Sequence, residues 1–398
     1  MRVAWVVPRY GAEIGGGAET LARLTAELLA DDVETTILTT CALDYWTWAN
    51  HFPPGEEHVN GVRIVRFPVS RPRRMQRFNR LLDSALAAPR DRELGQRWME
   101  SQGPHSPALV EHLRLHRDYY DVVCFVPYLY ATTAAALPVV RDRALLVPCA
   151  HDEPTLRLSI FQDVFTSPRA LVFNTPEERA IVERRFGTDT RPHIEIGVWV
   201  DPPPPSDPGR FRRAYGVGSD YLLCLGRVEP AKGSYWIKER FQEIRKHRPT
   251  LSLILMGREQ VKMPEAPGLV VTGFVDEQTK HDALEGAALV VLPSQYESLS
   301  LVALEAWSHG RPTLANADSK VLRGQTARSN GGLWYSSAAE FHATLGLLLD
   351  HPPLTETLGL QGRRWVETMS TRERVRQLWH EAFESVASGA RSSHRRPA

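Results

Sequence analysis

Glu297 and Glu305 lie eight positions apart in Pro293-Ser-Gln-Tyr-Glu297-Ser-Leu-Ser300-Leu301-Val-Ala-Leu-Glu305-Ala-Trp-Ser-His-Gly310-Arg-Pro312. The preceding run of Ala, Leu and Val at 287–292 predicts a buried strand. A polar bend follows, and residues 301–308 predict a helix that Gly310 and Pro312 bring to a stop. Glu297 then falls at the carboxyl mouth of the strand, while Glu305 sits one helical turn after Leu301. An ionised carboxylate taken out of water costs several kcal/mol unless donors pair with it. A lone Glu is usually solvated on an exposed face, but this helix is apolar almost all round, so Glu305 needs a partner. Carboxylates accept from hydroxyls, and free amides near Ser298–Leu301, at the start of the helix, can receive an anion. A ligand carrying both sugar hydroxyls and phosphates meets both needs.

Three further segments carry candidate chemistry. Gly11, Gly15, Gly16 and Gly17 lie between a predicted strand at 3–7 and a predicted helix at 18–30. Such a loop lets backbone approach a phosphate, although glycines alone serve a flexible turn equally well. Their spacing does not match the dinucleotide pattern G-x-G-x-x-G. In Leu223-Cys-Leu-Gly226-Arg227-Val-Glu-Pro-Ala-Lys232-Gly233, two cations follow a predicted strand. Most loop cations are merely solvated, but ligands of open α/β sheets bind at such strand ends. There Arg227 offers a fork and Lys232 a point charge to a diphosphate. The segment Pro148-Cys-Ala-His151-Asp-Glu-Pro154 has an H-x-E pattern without the Pro-Cys-x-x-Cys of a zinc deaminase. A lone His is more often structural than functional. No two Asp residues stand two apart in the chain, so no Asp-x-Asp pair is present to hold a divalent metal.

Taken in order, these segments resemble glycosyltransferase family 4, retaining transferases of the GT-B fold. The Glu-x7-Glu signature falls on Glu297 and Glu305, and the Gly-Arg-…-Lys-Gly segment on Arg227 and Lys232. The resemblance implies two Rossmann-like doubly wound domains facing across a cleft. It implies that Gly16 and Gly17 cap the donor β-phosphate, that His151 faces the donor sugar, and that Arg227 and Lys232 meet the diphosphate. Glu305 would hold ribose hydroxyls and Glu297 sugar hydroxyls, with Ser300 and Leu301 also on the donor. The implied catalytic set is Glu297, His151, Lys232 and Arg227, with no metal and no cofactor beyond a UDP-, GDP- or other nucleotide-sugar donor. The acceptor would be a sugar, a lipid-linked intermediate or a small molecule, as in polysaccharide or glycolipid synthesis. Two departures stand out. The usual Pro-Asn-Gly-Val-Asp linker reads Ile196-Gly-Val-Trp-Val-Asp201, and the glycine-rich turn after the first Glu reads Ser298-Leu-Ser300. A sugar-nucleotide epimerase of the same fold, or a sugar-nucleotide binder without turnover, are the alternatives.

The elements that must position these residues alternate strand and helix, which predicts parallel α/β sheets. Asp201-Pro-Pro-Pro-Pro205-Ser-Asp-Pro208 interrupts the rhythm as a stiff connector. We therefore expect an acceptor-side domain over 1–197 and a nucleotide-sugar domain over 198–371. A final helix at 372–388 would pack back on the first domain, with a disordered tail at 389–398. At 398 residues the chain suffices for two cores. A formal net charge of +1 gives no global field to recruit nucleic acid. Four scattered cysteines without a C-x-x-C pair read as reduced, and the opening apolar run is too short for a signal peptide, so a cytoplasmic location is expected. The stretch from Arg71 to Arg80 holds five arginines and no acid. It reads either as a solvated face or as a surface for anionic headgroups or a phosphate-bearing acceptor, which would place the protein on the inner membrane face. Trp98, Tyr128 and Tyr130 line an acceptor cleft or belong to the core.

Overall fold

The apolar run near the start forms strand β1 (Arg2–Val6), and every residue of it after Arg2 is buried. The computed structural model of the chain describes residues 1–218 and 220–393. These divide into two units, one of Met1–Val198 with the chain from Val375 onward, the other of Trp199–Arg374.

In the first unit β1 pairs in parallel with β2 (Glu34–Thr40) and β5 (Val122–Phe125). The remaining strands are β3 (Gly55–Val59), β4 (Val62–Phe67), β6 (Ala144–Leu146), β7 (Ala170–Phe173) and β8 (His193–Glu195). Their order is β3-β4-β2-β1-β5-β6-β7-β8. The six strands from β4 to β7 follow the doubly wound pattern, whose direction of winding reverses between β1 and β5. β3 departs from the all-parallel expectation. It is an antiparallel edge strand, fully exposed, and its Glu56 and Glu57 pair with Arg63 and Arg66. A short, charged edge of this kind resists pairing with other chains.

The second unit orders its strands β11-β10-β9-β12-β13-β14, again the doubly wound pattern. They are β9 (Tyr221–Leu225), β10 (Ser252–Met256), β11 (Leu269–Gly273), β12 (Leu289–Leu292), β13 (Thr313–Asn316) and β14 (Gly332–Tyr335). The strands β13 and β14, with the helix Lys320–Ser329 between them, carry no strong sequence pattern. They are short strands whose residues pack on neighbours distant in sequence. The winding reverses between β9 and β12, and ligands of open α/β sheets bind beyond the strand ends at such a point.

The last helix runs Arg372–Ser393, five residues past the expected end, so 389–393 are not a disordered tail. A single glycine at 389 costs a helix only about 1 kcal/mol, which its neighbours tolerate. Residues 394–398 of the expected tail lie outside the described residues. Val375, Trp379, Ala382, Phe383 and Val386 make the buried stripe of this helix. Trp379 meets Trp5 of β1 with ring centroids 5.0 Å apart, which joins the helix to the first unit. Trp98 and Tyr128 are core residues, packed around Phe161, and do not line a surface. Tyr130 packs edge-on to the buried Trp48. The four cysteines are free thiols. Among the described residues no helix is long and apolar enough to cross a membrane.

Candidate functional site

In the second unit, the two strands flanking the winding reversal each end in a candidate residue. β9 leads into Gly226 and a short 3-10 turn, Pro230–Lys232. β12 leads into the bend carrying Glu297. Lys232 Nζ donates to Glu297 Oε1 at 2.7 Å, across 65 residues of sequence. Gly233 makes the approach feasible. Its φ is +75°, and a Cβ there would lie 2.7 Å from the Pro293 carbonyl oxygen. Gly257, just past β10, is tighter still, since its Cβ would stand 2.1 Å from the Gly226 oxygen. Arg227 lies beside the buried Glu229, with Nη2 3.0 Å from Oε1.

The helix Leu301–Ser308 begins where the sequence places it. Ser300 is its N-cap, and its hydroxyl accepts from the Ala303 amide at 3.2 Å. The Ser300 amide donates to Gln325 Oε1 at 2.9 Å, so it is not one of the anion-receiving amides that the sequence suggests. Leu301 heads the helix and is half-buried. Glu305 has the partner its surroundings demand, because Lys280 Nζ donates to its Oε1 at 2.7 Å. Lys280 also reaches Glu277 at 2.7 Å. Burial works against the ammonium, but the two carboxylates outweigh it and raise the Lys280 pKa. The second unit therefore holds two lysine–glutamate pairs, one ahead of this helix and one on it, with charges suited to hydroxyls and phosphates.

In the first unit, Gly16 caps the helix Gly17–Leu29. A Cβ on Gly16 would fall 2.2 Å from Glu19 Oε2, while one on Gly17 would meet open space. The buried Glu19 carboxylate therefore folds back over the loop, and Arg9 Nε holds it at 3.0 Å. The helix start expected to receive a phosphate thus already has a carboxylate of the chain beside it. His151 follows β6, with Nδ1 3.6 Å from Glu153, and Glu153 accepts from Tyr128 Oη at 2.7 Å. Glu178, which the sequence does not single out, has its side chain wholly buried beneath the His151 loop. It accepts from the amides of Ala150 at 2.6 Å and Asn174 at 2.7 Å. Burial pushes the Glu178 carboxyl up to about 8, with the two amides pulling the other way. Each has one partner close in sequence, Asn174 or Glu277, and one that only the fold brings near, Ala150 for Glu178 and Glu305 for Lys280.

The arginine-rich stretch is divided. Arg73 turns inward, donating to Gln102 O at 2.8 Å and Tyr45 O at 2.9 Å, and lies over Trp48 and Phe78. Burial lowers its pKa to about 10. Arg73 is thus a structural clamp and not part of a surface, whereas Arg74, Arg77 and Arg80 are exposed.

Two parallel α/β units, each wound about a central reversal with charged groups at its strand ends, define the GT-B class. Residues 219–351 match the family of glycosyl transferases group 1. Over its whole length the chain is similar to sucrose-phosphate synthase from Thermosynechococcus elongatus, with a TM-score of 0.73, 17% identity and coverage of 97% of this chain and 99% of the other. It is also similar to Anabaena HepE in complex with UDP and glucose, with a TM-score of 0.69, 14% identity and coverage of 97% and 100%. Among curated relatives it is 28% identical to the D-inositol 3-phosphate glycosyltransferase of Frankia alni, over 57% of this chain and 61% of the relative. It is 27% identical to a GDP-mannose-dependent phosphatidylinositol monomannoside mannosyltransferase of Mycolicibacterium smegmatis, over 44% and 50%. The matched stretch thus spans about half of the curated relatives' length. The matched stretch thus resembles the group 1 glycosyl transferases, and the curated relatives that align with the chain are glycosyltransferases.

Proposed function

We propose that the protein transfers a sugar from a nucleoside-diphosphate sugar to an acceptor hydroxyl, with retention and without a metal. The observation that carries this reading is the Lys232–Glu297 pair at 2.7 Å, placed where the winding of the second sheet reverses. A cation for a diphosphate and an acceptor for sugar hydroxyls share one place there. Arg227 and Lys232 would stabilise the departing diphosphate in place of a divalent ion. Glu305 would hold the ribose hydroxyls and Glu297 those of the donor sugar. Leu301, heading its helix, would turn its amide to the donor, and Ser300 would support it as the cap. Gly16 and Gly17 would keep the role that the resemblance implies toward the donor β-phosphate, and His151 its role toward the donor sugar. The acceptor attacks from the face the leaving group vacates, and a phosphate oxygen takes its proton, so no carboxylate nucleophile is required.

The names of the matched proteins support a nucleotide-sugar donor, since HepE binds UDP and UDP-glucose and the M. smegmatis relative depends on GDP-mannose. Thermal shift with UDP, GDP, ADP and dTDP tests the reading, because a ligand of the folded state raises its stability by RT ln(1 + [L]/Kd). One of the four should stabilise the protein, and the matching sugar nucleotide should be slowly hydrolysed in the presence of EDTA. No shift with any of them would refute the donor site. Exposed Arg77 and Arg80, on the helix Met75–Ala87, leave contact with anionic headgroups as a further part of the reading. Co-sedimentation with phosphatidylglycerol vesicles tests it.

A further inference from the structure

The loop after β2 presents an aromatic pair that the donor chemistry does not use. We infer that Tyr45 and Trp46 form a stacking platform for a sugar ring of the acceptor. This rests on the transferase reading above and names one subsite of it.

The two rings lie 4.6 Å apart at 30°, and Trp46 is 43% exposed. A solitary exposed aromatic is ordinary. What distinguishes this one is how firmly its turn is held. The Asp44 carboxylate accepts from the Trp46 amide at 2.8 Å, the Thr47 amide at 2.6 Å and the Thr47 hydroxyl at 2.7 Å. Arg9 donates to the Leu43 carbonyl at 2.9 Å, and Arg73 to the Tyr45 carbonyl at 2.9 Å. Trp48 turns the opposite way, into the core, with φ +58° and its indole N–H on Gln102 O at 2.7 Å. Two guanidinium groups and a carboxylate thus fix a turn whose outward side chain is an indole.

A platform ordered in advance binds without the cost of immobilising it. The apolar C–H face of a pyranose carries slight positive charge, which suits the negative face of an indole. One ring pair is too small for a protein partner, which needs about 800 Å² per side. It also lacks the long apolar stripe by which a helix lies in a bilayer. Position agrees. Arg9 joins this turn, through Leu43, to Glu19 in the first turn of the helix that follows the glycine loop, so the platform adjoins a segment assigned to the donor.

Saturation-transfer NMR on the full chain, saturated with whichever of UDP, GDP, ADP and dTDP stabilises it, tests the subsite against methyl α-D-mannopyranoside, methyl α-D-glucopyranoside and methyl β-D-galactopyranoside. At least one should receive saturation on its ring C–H protons. Trp46→Ala should reduce that signal by about fivefold or more, and Trp46→Phe should keep most of it. The thermal shift induced by that nucleotide should be the same in both variants, which shows that they fold. No signal from any of the three glycosides, or an equal signal in Trp46→Ala, would overturn the subsite. A Trp46-dependent signal without any nucleotide shift would keep the platform as a sugar site and remove the donor reading instead.

Discussion

Lys280 Nζ and Glu305 Oε1 stand 2.7 Å apart, and each is the answer to the other's burial. Their side chains are 19% and 24% exposed, so water screens the pair only in part. Removing one partner leaves the other charge in poor solvent, at a cost of about 1–3 kcal/mol. Urea unfolding of Lys280→Met, Glu305→Gln and the double variant should give a coupling energy of about 1 kcal/mol or more. Additive single effects would mean that the pair contributes nothing to stability.

Lys232 is a different case, because it is half-buried and the proposed leaving diphosphate needs its charge. Lys232→Ala should lower turnover by about a hundredfold or more while changing the melting temperature little. Lys232→Arg should recover part of the rate. Near-normal activity in Lys232→Ala would remove the residue from the mechanism.

Gly233 decides whether Lys232 reaches Glu297 at all. An alanine there would need both a left-handed backbone and room against Pro293, which a Cβ meets at 2.7 Å. We expect Gly233→Ala to destabilise the protein by about 1–3 kcal/mol. Turnover should fall along with it, as read by thermal unfolding and by donor hydrolysis below the new midpoint.

Glu178 should give the protein a pH signature. Its carboxyl is raised to about 8 by burial, so the folded state holds a proton there that the unfolded chain gives up near its ordinary value. The contribution is complete at pH values below that ordinary value and is lost as pH rises through about 8. Wild-type stability relative to Glu178→Gln should therefore fall between roughly pH 5 and pH 8. A difference that stays flat over this range would show that Glu178 is already ionised in the folded protein.

What the sequence determined on its own is local. Hydrophobic runs, the helix start at Leu301, the stop at Gly310 and Pro312, and the cations after β9 follow from neighbours a few residues away. These suffice to read alternating α/β units and to single out Glu297 and Lys232. They even show that Glu305 needs a partner. That the partner is Lys280, that Gln325 takes the Ser300 amide, and that Glu178 lies beneath the His151 loop were decided only in three dimensions. So was the inward turn of Arg73, which its run of like charges conceals. Burial and pairing depend on which strands lie side by side, and the winding order that brings β9 beside β12 is a property of the packed sheet, not of any one segment.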